Sequence, residues 1–206
     1  CWSNMVNQYR YCVQRSTRYM FNEGQLGQSN GTGFTKLKDY IDSKALFDVN
    51  VNTAELIDKF FDGYFLDAAE PMREYFDELQ TYLTYLQDEY PHVLTGSIYE
   101  AISKTESGSL MFWKRKTMTG YMEYIDRAYA AIEKYKATDI SLYNALHDNI
   151  TIESLFPRYV LCRYYDGTFS PDEVTAMRKA FKSDCVRFGN LYEREHDFMT
   201  ALYSSW

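Results

Sequence analysis

The chain has little of what usually announces a site. Its four cysteines, Cys1, Cys12, Cys162 and Cys185, stand far apart with no C-x-x-C pair. That spacing fits neither a zinc site nor a small disulfide scaffold, and it leaves buried free thiols as the expectation. The three histidines, His92, His147 and His196, are isolated. None has the i, i+4 partner that a helical metal site would show, so they are expected on the surface or in structural roles, with no metal and no cofactor called for. No H-E-x-x-H, no P-loop and no G-x-G-x-x-G pattern occurs. Acidic pairs such as Asp77/Glu78 and the run Glu193, Glu195, Asp197 read as solvated helical faces rather than catalytic dyads.

A surplus of basic charge is also missing. The net charge is -7 with a pI near 5.0, which argues against nucleic acid, whose binding relies on Lys and Arg neutralising phosphates. The densest basic cluster, Lys114-Arg115-Lys116, is followed by Glu123 and Asp126 on the same predicted helix, as on a solvated face. Apolar runs stay well short of the roughly 18 residues of a membrane span, and no charged-then-apolar leader precedes residue 20. Because the first residue is Cys1, and Trp2, Met5, Tyr9 and Tyr11 follow at once, the chain is expected to begin inside a longer natural protein.

What is abundant is aromatic. Twenty Tyr, 13 Phe and 3 Trp make up 17% of the 206 residues, enough apolar mass for one sizeable core and one principal domain. Most rings recur at helical spacing, as in Tyr75, Tyr82 and Tyr85, and read as core. A minority of Tyr and Trp can serve sugars, since a ring face stacks on the C–H face of a pyranose while polar edges bond hydroxyls.

The periodicity is helical almost throughout. Residues 4–15 place Met5, Tyr9, Cys12 and Val13 on one stripe, and Thr17–Phe21 then switches to strand-favouring types. Residues 22–33 hold four glycines and form a loop. From Phe34, Leu37, Tyr40, Ile41 and Ala45 mark a helix. Asn52 with Glu55 signs the next as a capping box, with Leu56, Ile57, Phe60 and Phe61 inward and a break at Gly63. A third helix begins at Asp67 with Pro71 in its first turn and carries Met72, Tyr75, Phe76, Leu79, Leu83 and Leu86 to Tyr90.

Residues 91–109 are looser, with a short helix at 98–104. Helices are then expected over 111–136 and from Ser141, where Pro157 predicts a kink or break near Leu155–Phe156. A last helix is capped by Ser170, Pro171 and Glu173 and runs to about Leu202. Long helices joined by short polar turns predict an all-α antiparallel multi-helix bundle over residues 34–206, with residues 1–33 set apart as a helix plus a strand.

One carboxylate stands out from the acidic background. Glu23 follows the extended stretch and precedes Gly24, so it can be held at a strand's end beside a loop, within reach of sugar hydroxyls; an ordinary loop carboxylate is the competing reading.

Three strings carry a family resemblance: F-x-K-L-K-D-Y-I-x-x-K-x-L-F-D-x-N from Phe34, A-E-L-I-D-x-F-F-x-G-Y-F from Ala54, and A-A-E-P-M-R-E-Y-F-D-E-L from Ala68. In order and spacing these resemble the C-terminal half of bacterial proteins catalogued as domain of unknown function 4838, in which a helical region follows a TIM-type barrel similar to those of glycoside hydrolases. The resemblance covers about residues 15–90, and S-L-F-P-R-Y at 154–159 more loosely.

It implies that residues 1–33 are a remnant of the barrel, with Phe21–Gly24 at the end of its last strand and Phe34–Asp48 as the helix leaving it. Gly63-Tyr64-Phe65 matches the family's aromatic elbow, with Leu66 where Gly is usual, a residue that often marks positive φ. The implied function is a helical domain that supports a carbohydrate-active barrel and lends one wall to a sugar cleft through Glu23 and Tyr64, without catalysis of its own. The two acids that cleave a glycosidic bond are then expected upstream of Cys1. The alternative is a non-enzymatic interaction or dimerisation module, with self-association of the chain through exposed aromatics.

Overall fold

The computed structural model describes residues 2–20, 32–90, 112–190, 192–194, 197–204 and 206. Helix α1 spans Trp2–Gln14, α2 Thr35–Phe47 and α3 Thr53–Phe65. A 3₁₀ turn at Leu66–Ala68 leads into α4, Ala69–Glu89. Then come α5 at Arg115–Ile132, the single turn α6 at Tyr135–Thr138, α7 at Ile140–Tyr164 and α8 at Pro171–Phe188. Two short strands, β1 at Tyr192–Arg194 and β2 at Asp197–Phe198, pair antiparallel before α9 at Met199–Ser204. The fold is all-α and multi-helical, as the periodicity predicts.

Side-chain pairings fix the helix directions. Between α4 and α5, Glu74 meets Arg127, and Asp67 in the 3₁₀ turn before α4 meets Lys134 just past the end of α5. As one helix ascends the other descends. Between α5 and α7, Trp113 meets Phe156 and accepts the Tyr165 hydroxyl on its carbonyl, while Tyr129 bonds Thr151. Between α7 and α8, Arg178 pairs with Asp166, Arg158 with Asp184, and Arg187 with Asp148. Each of these pairs therefore runs antiparallel, and for α5, α7 and α8 the short connections impose it.

The core is aromatic. Phe34, Phe61, Phe65, Tyr75 and Tyr121 are fully buried, and Phe34 packs its ring on Phe61, Tyr75 and Phe76 with centroids 5.7, 5.5 and 5.0 Å away. A smaller cluster of Leu155, Cys162, Phe181 and Cys185 lies between α7 and α8. Helix α1 joins the main core through Val6 and Tyr9, while Val13, placed inward by the sequence stripe, is exposed. Its register on α2 is held by Tyr9 donating to Asp42 and by Arg10 donating to the carbonyls of Val49 and Val51.

Several boundaries differ from the sequence expectation. Residues 17–20 are irregular and exposed rather than a strand, because a single strand without a partner has nothing to satisfy its backbone; Phe21, Glu23 and the Gly-rich loop lie outside the described residues, as does the expected helix at 98–104. The helix expected over 111–136 divides into α5 and α6, since Lys114 is extended at its start and Glu133 bonds Ala130 in a tighter turn at its end. Asn52 caps α3 by accepting from Ala54, but its partner Glu55 takes the Asn52 side-chain amide rather than the backbone N–H of a capping box.

The last helix ends at Phe188 rather than near Leu202. Gly189 turns left-handed with φ 73°, and the Asn190 and Gly189 amides fold back onto Cys185 and Val186, a Schellman-type stop that apolar periodicity does not register. At its other end the box is complete: Ser170 accepts from the Glu173 amide and Glu173 accepts from the Ser170 amide.

Candidate functional site

Helix α7 carries a proline in its interior, and the chemistry of the core gathers one turn before it. Pro157 has no N–H, so the carbonyl of Glu153, four residues earlier, loses its helical donor. Helix α7 nevertheless runs on through this point. The freed oxygen is met from two other directions, by the Tyr75 hydroxyl of α4 at 3.4 Å and the Thr32 hydroxyl at 3.5 Å.

The side chain of the same residue turns toward the start of α2. Glu153 is 2% exposed, and its carboxylate accepts the Phe34 amide at 2.8 Å and the Gly33 amide beside it. These N–H groups stand at the N-terminus of a helix, where no intrahelical carbonyl reaches them. Gly33 and Phe34 have φ of 78° and 60°, so the acid captures two consecutive left-handed residues.

Burial dominates the proton affinity of Glu153. Desolvation lifts its carboxyl to about 8, and the two amides pull back only part of the way. Tyr64 at the end of α3 is pushed up to about 12 by burial and then by the Glu153 charge, and Tyr75 is raised for the same two reasons in the same order. Asn149, one turn before Glu153, donates to the Tyr64 carbonyl at 3.0 Å. Glu153 was not singled out by the sequence reading, although its signal is present: an acid inside the apolar run Ile150–Pro157, where a helix with one buried face offers it no solvent.

Of the two carbohydrate-contact candidates, Tyr64 is described. It is half-buried and stacked on Phe60 at 4.7 Å, edge-on to Phe65 at 5.0 Å, so it closes the aromatic cluster at the elbow. Glu23 lies outside the described residues. Leu66, which follows the elbow, has φ 49°: a positive backbone angle at a residue that carries a side chain.

Of the other thiols and imidazoles among the described residues, Cys12 is a free, half-buried thiol on α1. Cys162 and Cys185 are free thiols pushed up to about 11 by burial, far from the thiolate character that makes a nucleophile. His147 packs against Tyr129 and Tyr143, and burial lowers its proton affinity. Among the described residues no three His, Cys, Asp or Glu side chains gather as metal ligands would, and no helix is long and apolar enough to cross a membrane. An open groove between α4 and α5 is lined by Glu78, Lys116, Thr117, Gly120, Glu123 and Arg127, mixed in charge. The string Gly27-Gln28-Ser29-Asn30-Gly31 has the G-x-S-x-G form, against the expectation that the chain lacks one, and it too lies outside the described residues.

A lone carboxyl sealed from solvent can organise backbone, but glycosidic cleavage requires two acids set across a sugar. The cluster around Glu153 ties the start of α2, the end of α3 and α4 to α7. Comparison with protein families matches residues 1–77 to one described as "Domain of unknown function (DUF4838)". That segment runs from α1 into α4, and over it the chain is similar to this family. No curated protein and no solved structure matches the chain.

Proposed function

We propose that this chain is a helical supporting domain of a carbohydrate-active, glycoside hydrolase-like enzyme, non-catalytic by itself and lending one wall to a sugar cleft. The observation that carries the reading is the family match over residues 1–77, the stretch that holds the proposed barrel remnant at 1–33, Glu23 and the elbow at Tyr64. The support it would give is mechanical: α2 and α3 are pinned to α7 through Glu153 and Asn149, so a surface resting on them would not give way.

The elbow supports the same reading. Tyr64 stacks on Phe60 with part of its surface open, the type of amphipathic ring that suits a pyranose. The test is a titration of the chain with mono- and oligosaccharides, followed by NMR. Saturable shifts confined to amides near Tyr64, abolished by Tyr64→Ala, support the wall; a full panel without shifts counts against it.

A second reading, an interaction or dimerisation module, rests on a separate observation. Tyr19 is 93% and Phe47 is 95% exposed, and Tyr11, Val13, Met20 and Leu46 also face outward. Single exposed apolar residues are ordinary, but several on α1, its following segment and the end of α2 make a surface that association would cover. Sedimentation that shows a concentration-dependent dimer, lost in Phe47→Ser, would favour it.

A further inference from the structure

Among the described buried polar residues Thr35, Thr151, Glu153, Ser154 and Asn190, Glu153 alone carries an ionisable side chain, and what surrounds it is unusual. The start of α2 brings it only amides, from Gly33 and Phe34. Helix α3 faces it with Tyr64 and α4 with Tyr75, both neutral phenols, and Tyr121 of α5 stands behind Tyr75 at 5.0 Å. On α7 itself His147 is engaged with Thr151, and Arg158 with Ser154 and Asp184. Among the described residues no cation is paired with this carboxylate.

The backbone it holds is itself strained. Phe34, a bulky residue, sits at φ 60° and ψ 37° directly before α2, a region L residues with large side chains rarely enter. Such conformations persist only where the surroundings over-determine them. Here two groups do so: the core grips the ring, and Glu153 grips the amide.

We propose that Glu153 acts as a proton-operated catch, closed when its carboxyl is neutral and holding the Gly33–Phe34 turn against α7, and released when the carboxyl ionises. In this apolar, cation-free position the two amides offset only part of the anion's lost hydration, and reaching water recovers the rest. Reaching water means parting α7 from the turn. Parting also lets Phe34 leave its left-handed angle, so hydration and strain relief favour the same movement. The elevation of the Glu153 carboxyl to about 8 puts the transition at mildly alkaline pH.

Two readouts on the 206-residue chain test this. The first is the side-chain carboxyl resonance of Glu153 in glutamate-labelled protein, assigned by its loss in Glu153→Gln. The second is hydrogen-exchange protection of the Phe34 amide, corrected for base catalysis, with the Ile125 amide of α5 as internal reference. Glutamine keeps an acceptor and stays neutral at every pH. The catch predicts a titration midpoint near 8, with Phe34 protection falling at least about tenfold between about pH 6.5 and about pH 9.5 while Ile125 holds, and no such fall in Glu153→Gln. It is overturned if the carboxyl titrates in the ordinary glutamate range, if Phe34 stays protected while the carboxyl ionises, if Ile125 loses protection in step with Phe34, or if Glu153→Gln opens over the same pH range.

Discussion

Tyr75 and Tyr121 lie ring against ring at 5.0 Å in the middle of the bundle, yet their hydroxyls differ in kind: Tyr75 donates to the Glu153 carbonyl, whereas the buried Tyr121 hydroxyl has no partner among the described residues. Removing one oxygen from each should therefore move stability in opposite directions. Tyr75→Phe leaves a carbonyl that Pro157 already deprived of its amide with the Thr32 hydroxyl at 3.5 Å as its remaining described donor, and should cost about 1 kcal/mol. Tyr121→Phe removes an unsatisfied group and should be neutral or stabilising by up to about 1 kcal/mol. Urea midpoints decide. Pro157→Ala restores the missing donor, so in that background the cost of Tyr75→Phe should shrink by at least about 0.5 kcal/mol.

Leu66 ends α3 at φ 49° and ψ -120°, and it is 40% exposed. Glycine adopts that angle freely, and little burial would be forfeited. Leu66→Gly should raise stability by about 1 kcal/mol, seen as a Tm increase of about 2–4 °C for a chain of this size. A lower Tm would mean that the Leu66 side chain contributes more by packing than its backbone costs.

The native state holds the Glu153 proton more firmly than the unfolded chain, whose glutamates titrate near 4.5. Stability from this group is thus complete below about pH 4.5, declines as pH rises toward about 8, and levels off beyond. At ~1.4 kcal/mol per pH unit that interval bounds the loss at about 5 kcal/mol. His147 acts in the opposite sense: its lowered proton affinity gives stability that is lost as pH falls below about 6.5. Denaturation of Glu153→Gln across the range should show the alkaline decline flattened and the acid-side loss retained.

Ser170 and Glu173 satisfy the first turn of α8 reciprocally at an exposed site. Ser170→Ala should cost about 1 kcal/mol, and Ser170→Gly less, by thermal unfolding.

The helical body was legible because its rings repeat with a period of 3.6, and the stripes Leu56, Ile57, Phe60, Phe61 and Met72, Tyr75, Phe76, Leu79 are buried as spaced. Caps written in side chains, such as Ser170 with Glu173, were equally readable. Stops written in backbone angle were not: Gly189 carries no apolar signal, so the stripe of α8 seemed to continue past it. Pro157 predicted a disturbance near Phe156, but α7 continues because Tyr75 and Thr32, far away in sequence, take up the carbonyl it frees. Glu153 escaped notice for a related reason. Its meaning depends on Gly33 and Phe34, more than a hundred residues away, and no local pattern links them.

The most direct test of the proposal that the chain supports a barrel it does not itself contain is an assay of glycoside hydrolysis on a panel of aryl glycosides, run in parallel on the 206-residue chain and on the product expressed from its gene. The account predicts turnover by the gene product and none by the chain alone. Turnover by the chain alone, or none by the gene product across the panel, would contradict it.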